Sequence, residues 1–326
     1  MLTEADNFGK KCTVDVLIPV YRPDDKLKRI IERLEKQDHP VSDIILINTG
    51  KEYFEEFFKN DDFLERYDNI IVHHITEEEF DHGSTRRLAV SMSQADIFVC
   101  MTDDAVPADR KLISRLINPI IEGKAASAYA RQLPGKTSSV YESANRYFNY
   151  PAHSVLKGKE DLPSLGIKAF FCSDVCAAYD RSVYDSLGGF EDHMIFNEDM
   201  VYARHVIDAG YHIAYVADAR VIHSHDYRAS LYFRRSFDMG VSQAMYPEVF
   251  DVSSESEGLR LIKRTCAYYV RKKKLLLTPK MIFINGLKFL GYRLGKSYKI
   301  LPKRVILAIT QNRVFWTEKV HKIRNN

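Results

Sequence analysis

The first third of the chain alternates short apolar runs with amphipathic segments. Apolar runs of strand length, rich in β-branched residues, are separated by segments whose apolar residues recur at helical spacing. The predicted strands are 13–20, 43–47, 69–74 and 97–101, and the predicted helices are 24–37, 53–66, 84–93 and 109–121. This alternation predicts an α/β fold with a doubly wound, mostly parallel sheet.

The periodicity weakens after residue 123. Residues 131–167 are rich in polar and aromatic side chains and predict loops and short helices. Further strands are expected at 127–130, 175–179 and 211–222, with a helix at 199–209. Beyond residue 230 the pattern is helical. The polar stretch 253–258 is the best boundary candidate, so we predict a catalytic domain over 1–254 and a basic, amphipathic helical region over 255–326.

The fourth apolar run ends in two adjacent carboxylates, Asp103 and Asp104. A charged side chain at the end of a buried strand costs free energy unless it is paired or binds a ligand. Ligands of open α/β sheets bind just outside the carboxyl ends of the strands. Two carboxylates at this place would suit a divalent cation, which prefers oxygen ligands. A simpler interpretation is that Asp104 or Asp109 caps the helix that follows.

Composition narrows the class of protein only slightly. The chain has 28% charged and 45% hydrophobic residues, which is typical of a soluble globular protein. No run reaches the roughly 18 apolar residues of a membrane span. Residues 1–11 are polar, so we expect no secretory signal there. The five cysteines are scattered and odd in number, which favours free thiols in a reducing cytosol.

Charge is distributed unevenly along the chain. Residues 255–326 carry 18 basic and 3 acidic side chains, whereas the other 254 residues carry 29 basic and 41 acidic ones. Basic amphipathic helices of this kind bind anionic membrane surfaces. Alternatively, the region packs on the catalytic domain or on a second subunit, as in a homo-oligomer. We recognise no nucleic-acid-binding motif and expect no nucleic-acid partner.

Several motifs occur in an informative order. Residues 80–89 have the sequence FDHGSTRRLA, and residues 219–227 have the sequence ARVIHSHDY. Between them, a glycine turn precedes Glu198 and Asp199 at the start of a predicted helix. Together with the first and fourth strand ends, this set resembles the inverting glycosyltransferases of family 2, which have the GT-A fold. The narrower resemblance is to bacterial rhamnosyltransferases that use dTDP-L-rhamnose.

The resemblance implies roles for particular residues. Those expected at the donor nucleotide are Pro19, Val20, Tyr21, Asn48, His82, Thr85, Arg86 and Asp103. Those expected at the acceptor are Glu198, Arg131, Ser173 and Asp174. Asp104 is the expected ligand of Mn²⁺ or Mg²⁺, with His223 or His225 adding an imidazole. The two histidines should face the same way, because side chains alternate along an extended chain.

Asp199 is the expected general base. Inversion needs one group that takes the proton of the acceptor hydroxyl while its oxygen attacks the anomeric carbon. The competing interpretation is that Asp199 only caps its helix, just as the segment near Arg86 could be a simple capping motif. Both Asp104 and Asp199 are present, which argues against a non-catalytic homologue.

The sequence therefore predicts an inverting glycosyltransferase of GT-A fold. We expect it to transfer L-rhamnose to a hydroxyl of a cell-surface polysaccharide or a lipid-linked oligosaccharide precursor. We expect it in the cytoplasm, peripherally bound to the inner face of the cell membrane. The alternatives are a family 2 transferase with a UDP-sugar donor and a non-catalytic subunit that binds nucleotide sugars.

Overall fold

A computed structural model describes residues 12–251 and 255–316. Residues 1–11, where we expect no secretory signal, and the last ten residues of the basic region lie outside that description. The predicted domain boundary also falls partly on residues outside it. Within the described ranges, no helix is both long enough and apolar enough to cross a membrane.

Nine strands of the described residues form one sheet. They are β1 (Val14–Tyr21), β2 (Ile44–Thr49), β3 (Ile70–Ile75), β4 (Ile97–Met101), β5 (Val106–Pro107), β6 (Ser127–Leu133), β7 (Val155–Lys157), β8 (Cys176–Asp180) and β9 (Ile213–Ile222). The order is β3-β2-β1-β4-β8-β6-β9-β5, with β7 paired to β9. Strands β1 to β4 are parallel, β8 is antiparallel to both its neighbours, and β6 is parallel to β9. The parallel half predicted from the sequence thus continues into a mixed half.

Twelve α-helices of the described residues cover the sheet and extend beyond it. They are α1 (Asp25–Leu34), α2 (Lys51–Phe57), α3 (His82–Met92), α4 (Leu112–Ile121), α5 (Val140–Asn149), α6 (Leu162–Leu165), α7 (Arg181–Ser186), α8 (Glu198–Asp208), α9 (Ala229–Met245), α10 (Glu255–Arg271), α11 (Thr278–Lys296) and α12 (Lys303–Ile309). The helix predicted at 53–66 ends early, and Asn60 beyond it has a positive φ of 61°. Conversely, α5 is a ten-residue helix inside the stretch predicted to hold loops and short helices.

Apolar residues at helical spacing fix each helix to the sheet. In α1, the buried residues are Leu27, Ile30, Ile31 and Leu34, which lie on one face. The Asp24 side chain accepts a hydrogen bond from the Lys26 N–H at 2.7 Å and caps this helix, as the sequence predicts. Buried side chains cover both faces of the sheet. A ligand therefore reaches the parallel half at the carboxyl ends of its strands.

Glycines bring α9 and α11 into backbone contact. A Cβ atom on Gly291 would lie 2.4 Å from the carbonyl oxygen of Phe233, and one on Gly295 would lie 2.1 Å from that of Phe237. Both distances are far below van der Waals contact. Helix α11 therefore packs directly on α9.

Candidate active site

Two carboxylates at the end of β4 point to different neighbours. Asp103 Oδ2 accepts a hydrogen bond from the Tyr21 N–H at 3.3 Å, so it faces the end of β1. Asp104 faces the end of β9 instead. Burial, together with the charge of Asp104, raises the pKa of Asp103 to about 6. The two adjacent residues thus occupy separate parts of the site, as the resemblance implies.

Asp104 meets both histidines of the His-x-His motif. Its Oδ1 lies 3.4 Å from His223 Nε2, and its Oδ2 lies 2.9 Å from His225 Nε2. Ser224 points the other way and accepts a hydrogen bond from the Gly135 N–H at 3.1 Å. Alternation along the extended chain therefore brings both imidazoles to one carboxylate.

The helix-cap interpretation of Asp104 is wrong. Helix α4 begins at Leu112 and has no side-chain cap at its N-terminus. Asp109, the other capping candidate, accepts a hydrogen bond from the Lys111 N–H at 2.9 Å and forms an ion pair with Arg220 at 2.6 Å. Asp104 does not cap α4 and contacts the two histidines instead.

Asp104, His223 and His225 fit a divalent cation. One ligand atom from each lies within 4.8 Å of the others. The Gln132 Oε1 atom lies 3.0 Å from Nδ1 of His223, so a proton on Nδ1 leaves Nε2 free to bind a metal. Burial raises the pKa of Asp104, but the hydrogen bonds and charges of His223 and His225 outweigh burial and hold this pKa far below its usual range. Asp104 therefore offers an anionic oxygen beside two ring nitrogens, a set of donor atoms that suits a divalent cation.

Three residues that the sequence did not single out support these ligands. Glu142 on α5 accepts hydrogen bonds from the His225 N–H at 3.3 Å and from Arg146 Nε at 2.6 Å. Arg146 also donates to the Gln132 oxygen that faces His223. Gln132 lies on β6, and the other two residues lie on α5. The sequence carried one signal for α5, because Ser139 stands three residues before Glu142 and caps the helix.

The end of β1 opens onto a cavity of about 420 Å³. Tyr21 is 45% exposed, and its hydroxyl donates to Glu77 Oε1 at 2.9 Å. His82 also lines the cavity, and its ring lies 5.3 Å from that of Phe80 and 5.8 Å from that of Phe196. Burial, followed by the charge of nearby arginines, lowers the pKa of His82 to about 3, so this imidazole is neutral.

The other residues predicted for the nucleotide lie deeper. Val20, Asn48 and Thr85 are buried, and Pro19 is half-buried. The Asn48 amide nitrogen donates to the Gly50 carbonyl at 3.1 Å and lies 3.0 Å from His74 Nδ1. These contacts shape the wall behind Tyr21. Direct contact between Asn48 or Thr85 and a nucleotide stays a prediction.

Arg86 lies at the centre of a buried charged cluster. Its Nε lies 2.6 Å from Asp174 Oδ2 and 3.1 Å from Glu198 Oε1, and all three side chains are buried. Burial alone would lower the pKa of Arg86, but these two carboxylates raise it above its ordinary value. The geometry favours a supporting role for all three residues, whereas the sequence assigned Arg86 to the nucleotide and the two acids to the acceptor.

Asp199 lies on this cluster and is half-buried. Its Oδ2 accepts a hydrogen bond from the Asp174 N–H at 3.2 Å, and its Oδ1 accepts one from the Met200 N–H at 2.7 Å. Burial, together with the charges of Glu198 and Asp174, raises the pKa of Asp199 well above its usual range. A raised pKa strengthens a carboxylate as a base, which is the chemistry predicted for it.

The remaining residues predicted for the acceptor lie between Asp199 and the histidines. Arg131 is half-buried and donates from Nε to the Tyr150 carbonyl at 3.2 Å. Ser173 Oγ accepts a hydrogen bond from Gln132 Nε2 at 3.0 Å. Because Gln132 also faces His223, its amide links the two halves of the site.

Sequence comparison identifies the family. Residues 15–188 match the model of glycosyl transferase family 2. The chain is 33% identical over 307 residues to the O-antigen chain rhamnosyltransferase RfbN of Salmonella typhimurium, which covers 93% of this chain and 96% of that protein. The chain belongs to glycosyl transferase family 2. The predicted family is thereby confirmed.

A second relative agrees with this assignment, and a solved structure agrees with the fold. The transferase is 36% identical over 252 residues to the O-antigen chain rhamnosyltransferase WbaN of Salmonella anatum, covering 76% of this chain and 79% of that protein. Its fold resembles that of the mannosyltransferase PcManGT from Pyrobaculum calidifontis, solved in complex with GDP-Man and Mn²⁺. The TM-score is 0.55 at 13% identity, and the match covers 97% of this chain and 84% of that one. The predicted GT-A fold is confirmed.

Proposed function

We propose that this family 2 transferase moves L-rhamnose from dTDP-L-rhamnose to a hydroxyl of a cell-surface polysaccharide or its lipid-linked precursor. The observation that carries the proposal is the similarity over most of the chain to two O-antigen chain rhamnosyltransferases. The site supports it with a metal-binding group and a half-buried carboxylate of raised pKa. An O-antigen precursor is the acceptor class that this similarity favours.

Asp104, His223 and His225 would hold Mn²⁺ or Mg²⁺. When bound, the cation neutralises charge on the diphosphate leaving group. The two imidazoles favour Mn²⁺, because Mg²⁺ prefers an all-oxygen shell. Gln132 orients His223, and Glu142 holds the backbone of His225, so the ligands are positioned before a cation arrives.

Asp199 would act as the general base of a single displacement. The acceptor oxygen forms a bond to the anomeric carbon, the bond from that carbon to the diphosphate oxygen breaks, and the acceptor proton passes to Asp199. Inversion follows because the attack comes from the side opposite the leaving group. The Asp174 and Met200 N–H groups hold the carboxylate in place during this step.

A donor screen tests this proposal. Purified protein, Mn²⁺ and a lipid-linked acceptor are combined with dTDP-L-rhamnose or with UDP-sugars, and the anomeric configuration of the product is read by NMR. We expect transfer from dTDP-L-rhamnose with inversion. Faster transfer from a UDP-sugar would show that this UDP-sugar, and not dTDP-L-rhamnose, is the donor. Nucleotide-sugar binding without any transfer would favour the non-catalytic alternative.

We further propose that the transferase binds the inner face of the cell membrane through α11 and the segment that joins α10 to it. Leu276, which is 96% exposed, follows the exposed residues Lys272, Lys273 and Lys274. On the outer side of α11, Phe283 is 60% exposed. Apolar side chains beside clustered lysines suit an anionic lipid surface. A second copy of the chain is the alternative occupant of this surface.

A further inference from the structure

The cavity beside Tyr21 has a second wall that comes from a distant part of the chain. Tyr21, Glu77 and His82 line one side, and Arg235 on α9 and residues 311–314 line the other. Residues 311–314 follow α12 and belong to the basic region that the sequence suggested was an appendage. The cavity at the end of β1 is therefore completed by residues almost 300 positions later in the chain.

Hydrogen bonds hold this second wall in place. The buried Asp238 on α9 accepts from Thr310 Oγ1 at 2.6 Å and from the Gln311 N–H at 2.9 Å. Asn312 Oδ1 accepts from the Phe315 N–H at 3.1 Å, and Trp316 Nε1 donates to Thr310 Oγ1 at 3.3 Å. Residues 310–316 thus form a fixed turn on α9, and Arg313 projects from that turn.

Arg235 lies close to the metal-binding group. Its guanidinium carbon is 5.2 Å from the ring centroids of both Phe196 and Tyr227. Tyr227 in turn stacks on His225, with the ring centroids 4.8 Å apart and the planes at 13°. Tyr227 therefore contacts both Arg235 and His225, which is a proposed metal ligand.

Two arginines and two acidic residues line this cavity, and the arginines, Arg235 and Arg313, are its candidate groups for an anion. Neither Arg235 nor Arg313 forms an ion pair with any residue that the structure describes, and Arg313 is exposed. The Arg313 guanidinium is thus available to a ligand, in contrast to that of Arg86, which two carboxylates occupy. Arg235 packs over aromatic rings and its charge acts on the nearby Asp238, but no carboxylate forms an ion pair with it among the described residues. Planar guanidinium groups bind phosphate oxygens strongly because they offer several N–H donors in a fixed geometry.

We propose that Arg235 and Arg313 bind the diphosphate of the nucleotide-sugar donor from the side opposite Tyr21, so that the turn at residues 310–316 is part of the donor site. This rests on the proposed function, which supplies the nucleotide-sugar donor. A divalent cation matches the two negative charges of the donor's diphosphate, so the arginines matter most for the further negative charge that appears when the bond to the sugar breaks. They stabilise the diphosphate as it gains this charge.

Titration calorimetry on the full chain tests this proposal. The probe is dTDP with Mn²⁺, and the titrations are repeated with UDP and GDP in case the donor carries a different base. We expect Arg313→Ala to weaken dTDP binding roughly tenfold, the usual size of a lost charge-assisted hydrogen bond. Arg313→Lys should recover part of that loss, because it restores the charge without the guanidinium geometry.

The matched control is Arg304→Ala. Arg304 is an exposed arginine on α12 that does not line the cavity, so its removal lowers the net charge equally. We expect wild-type affinity from this variant. Arg235→Ala provides an independent variant on a different element and should also weaken dTDP binding, with its fold checked by circular dichroism.

The outcomes separate this inference from the proposed function. If the wild type binds dTDP and Arg313→Ala binds it as tightly as Arg304→Ala does, the role of the turn is overturned and the proposed function stands. If the wild type binds none of the three nucleotides, the proposed function fails and this inference fails with it.

Discussion

Asp199 is held in an environment that opposes its charge. Glu198 and Asp174 lie beside its carboxylate, and their charges are only partly offset by Arg86 and by the backbone N–H groups that bind it. This arrangement raises the proton affinity of the Asp199 carboxylate, which a general base needs, but it lowers the stability of the folded protein. Activity and stability should therefore respond in opposite directions when this carboxylate is removed.

The first prediction concerns catalysis. Asp199→Asn should lower kcat by a factor on the order of 10² to 10⁴, the usual contribution of a general base. Binding of dTDP, measured by calorimetry, should be unchanged because Asp199 faces the acceptor side. Asp218→Asn is the matched control, since Asp218 is exposed and outside the site. Near wild-type turnover by Asp199→Asn would show that Asp199 is not the general base.

The second prediction concerns stability and pH. Because the folded protein raises the pKa of Asp199, ionisation of this group penalises the folded state above the pKa of the unfolded chain, which is about 3.9. Asp199→Asn should therefore raise Tm at pH 8, and the gain should shrink towards pH 4. Thermal unfolding of both proteins across that range measures the difference. A gain that is independent of pH would contradict this cause.

The third prediction concerns the metal ligands. Asp104→Ala and His223→Ala should each abolish the Mn²⁺-dependent part of dTDP binding, because each removes one of three converging ligand atoms. Ser224→Ala is the neighbouring control, because its side chain points away from the histidines and towards Gly135. Equal dTDP affinities with and without Mn²⁺ in the wild type would refute the metal site.

Some features of single residues could be predicted from the sequence and others could not. The common direction of His223 and His225 follows from alternation along an extended chain, and the separate surroundings of Asp103 and Asp104 follow from the same rule. The burial of Arg86 does not follow, because it depends on Asp174 and Glu198, which are 88 and 112 positions further along the chain. The sequence identified all three residues but could not pair them.

At the scale of elements, the contact between α9 and α11 determines where the C-terminal turn lies. These helices approach until glycine is the only residue that fits at their crossing. The turn at residues 310–316 is fixed to α9 at Asp238, on the same helix that α11 contacts. Any change that separates the two helices should therefore also disturb the cavity beside Tyr21.

The fourth prediction tests this coupling between elements. In Gly295→Ala, the new Cβ would lie 2.1 Å from the Phe237 carbonyl oxygen, so the backbones must separate. We expect a loss of about 1–3 kcal/mol in the free energy of unfolding, as for other overpacked sites, together with weaker dTDP binding. Denaturant unfolding and calorimetry measure the two effects.

The control for this substitution lies on the same helix. A Cβ on Gly286 would meet nothing within 4 Å, so Gly286→Ala should be neutral or stabilise the protein by up to about 1 kcal/mol. Equal effects of the two substitutions would show that the helix crossing does not restrict residue size.

The boundaries of most elements were predictable, whereas the interactions between elements were not. Helix α1 was predicted with its cap because spacing and capping are local properties. Helix α5 was missed because its first turn follows an irregular, polar segment. The antiparallel direction of β8 was also unpredictable, because a short apolar strand contains no signal of its direction in the sheet.

At the scale of the whole molecule, the basic region contributes to two separate surfaces. The face of α11 that contains the buried residues Met281 and Ile284 packs inward, whereas Phe283 and Phe289 on the other side are exposed. The sequence suggested both packing on the catalytic domain and binding to a membrane, and these two interpretations are compatible. The structure allows both, because they use different faces of the same helix.

The fifth prediction tests the outward face. The double variant Leu276→Glu and Phe283→Glu should reduce co-sedimentation with anionic phosphatidylglycerol liposomes by about tenfold or more, because it replaces inserted apolar groups with negative charge. Ile121→Glu is the control, since Ile121 is similarly exposed on α4. Absence of wild-type binding would refute the membrane proposal, and concentration-dependent dimerisation in ultracentrifugation would assign the face to a second copy.

The composite cavity beside Tyr21 has a consequence for biosynthesis. Its first wall is made early in translation and its second wall only after residue 314 has been added. Domains fold as they are synthesised, from the N-terminal side. A nascent chain can therefore complete its sheet well before the second wall exists. If residues 310–316 bind the donor as proposed, donor binding reaches full strength only after these residues have been made.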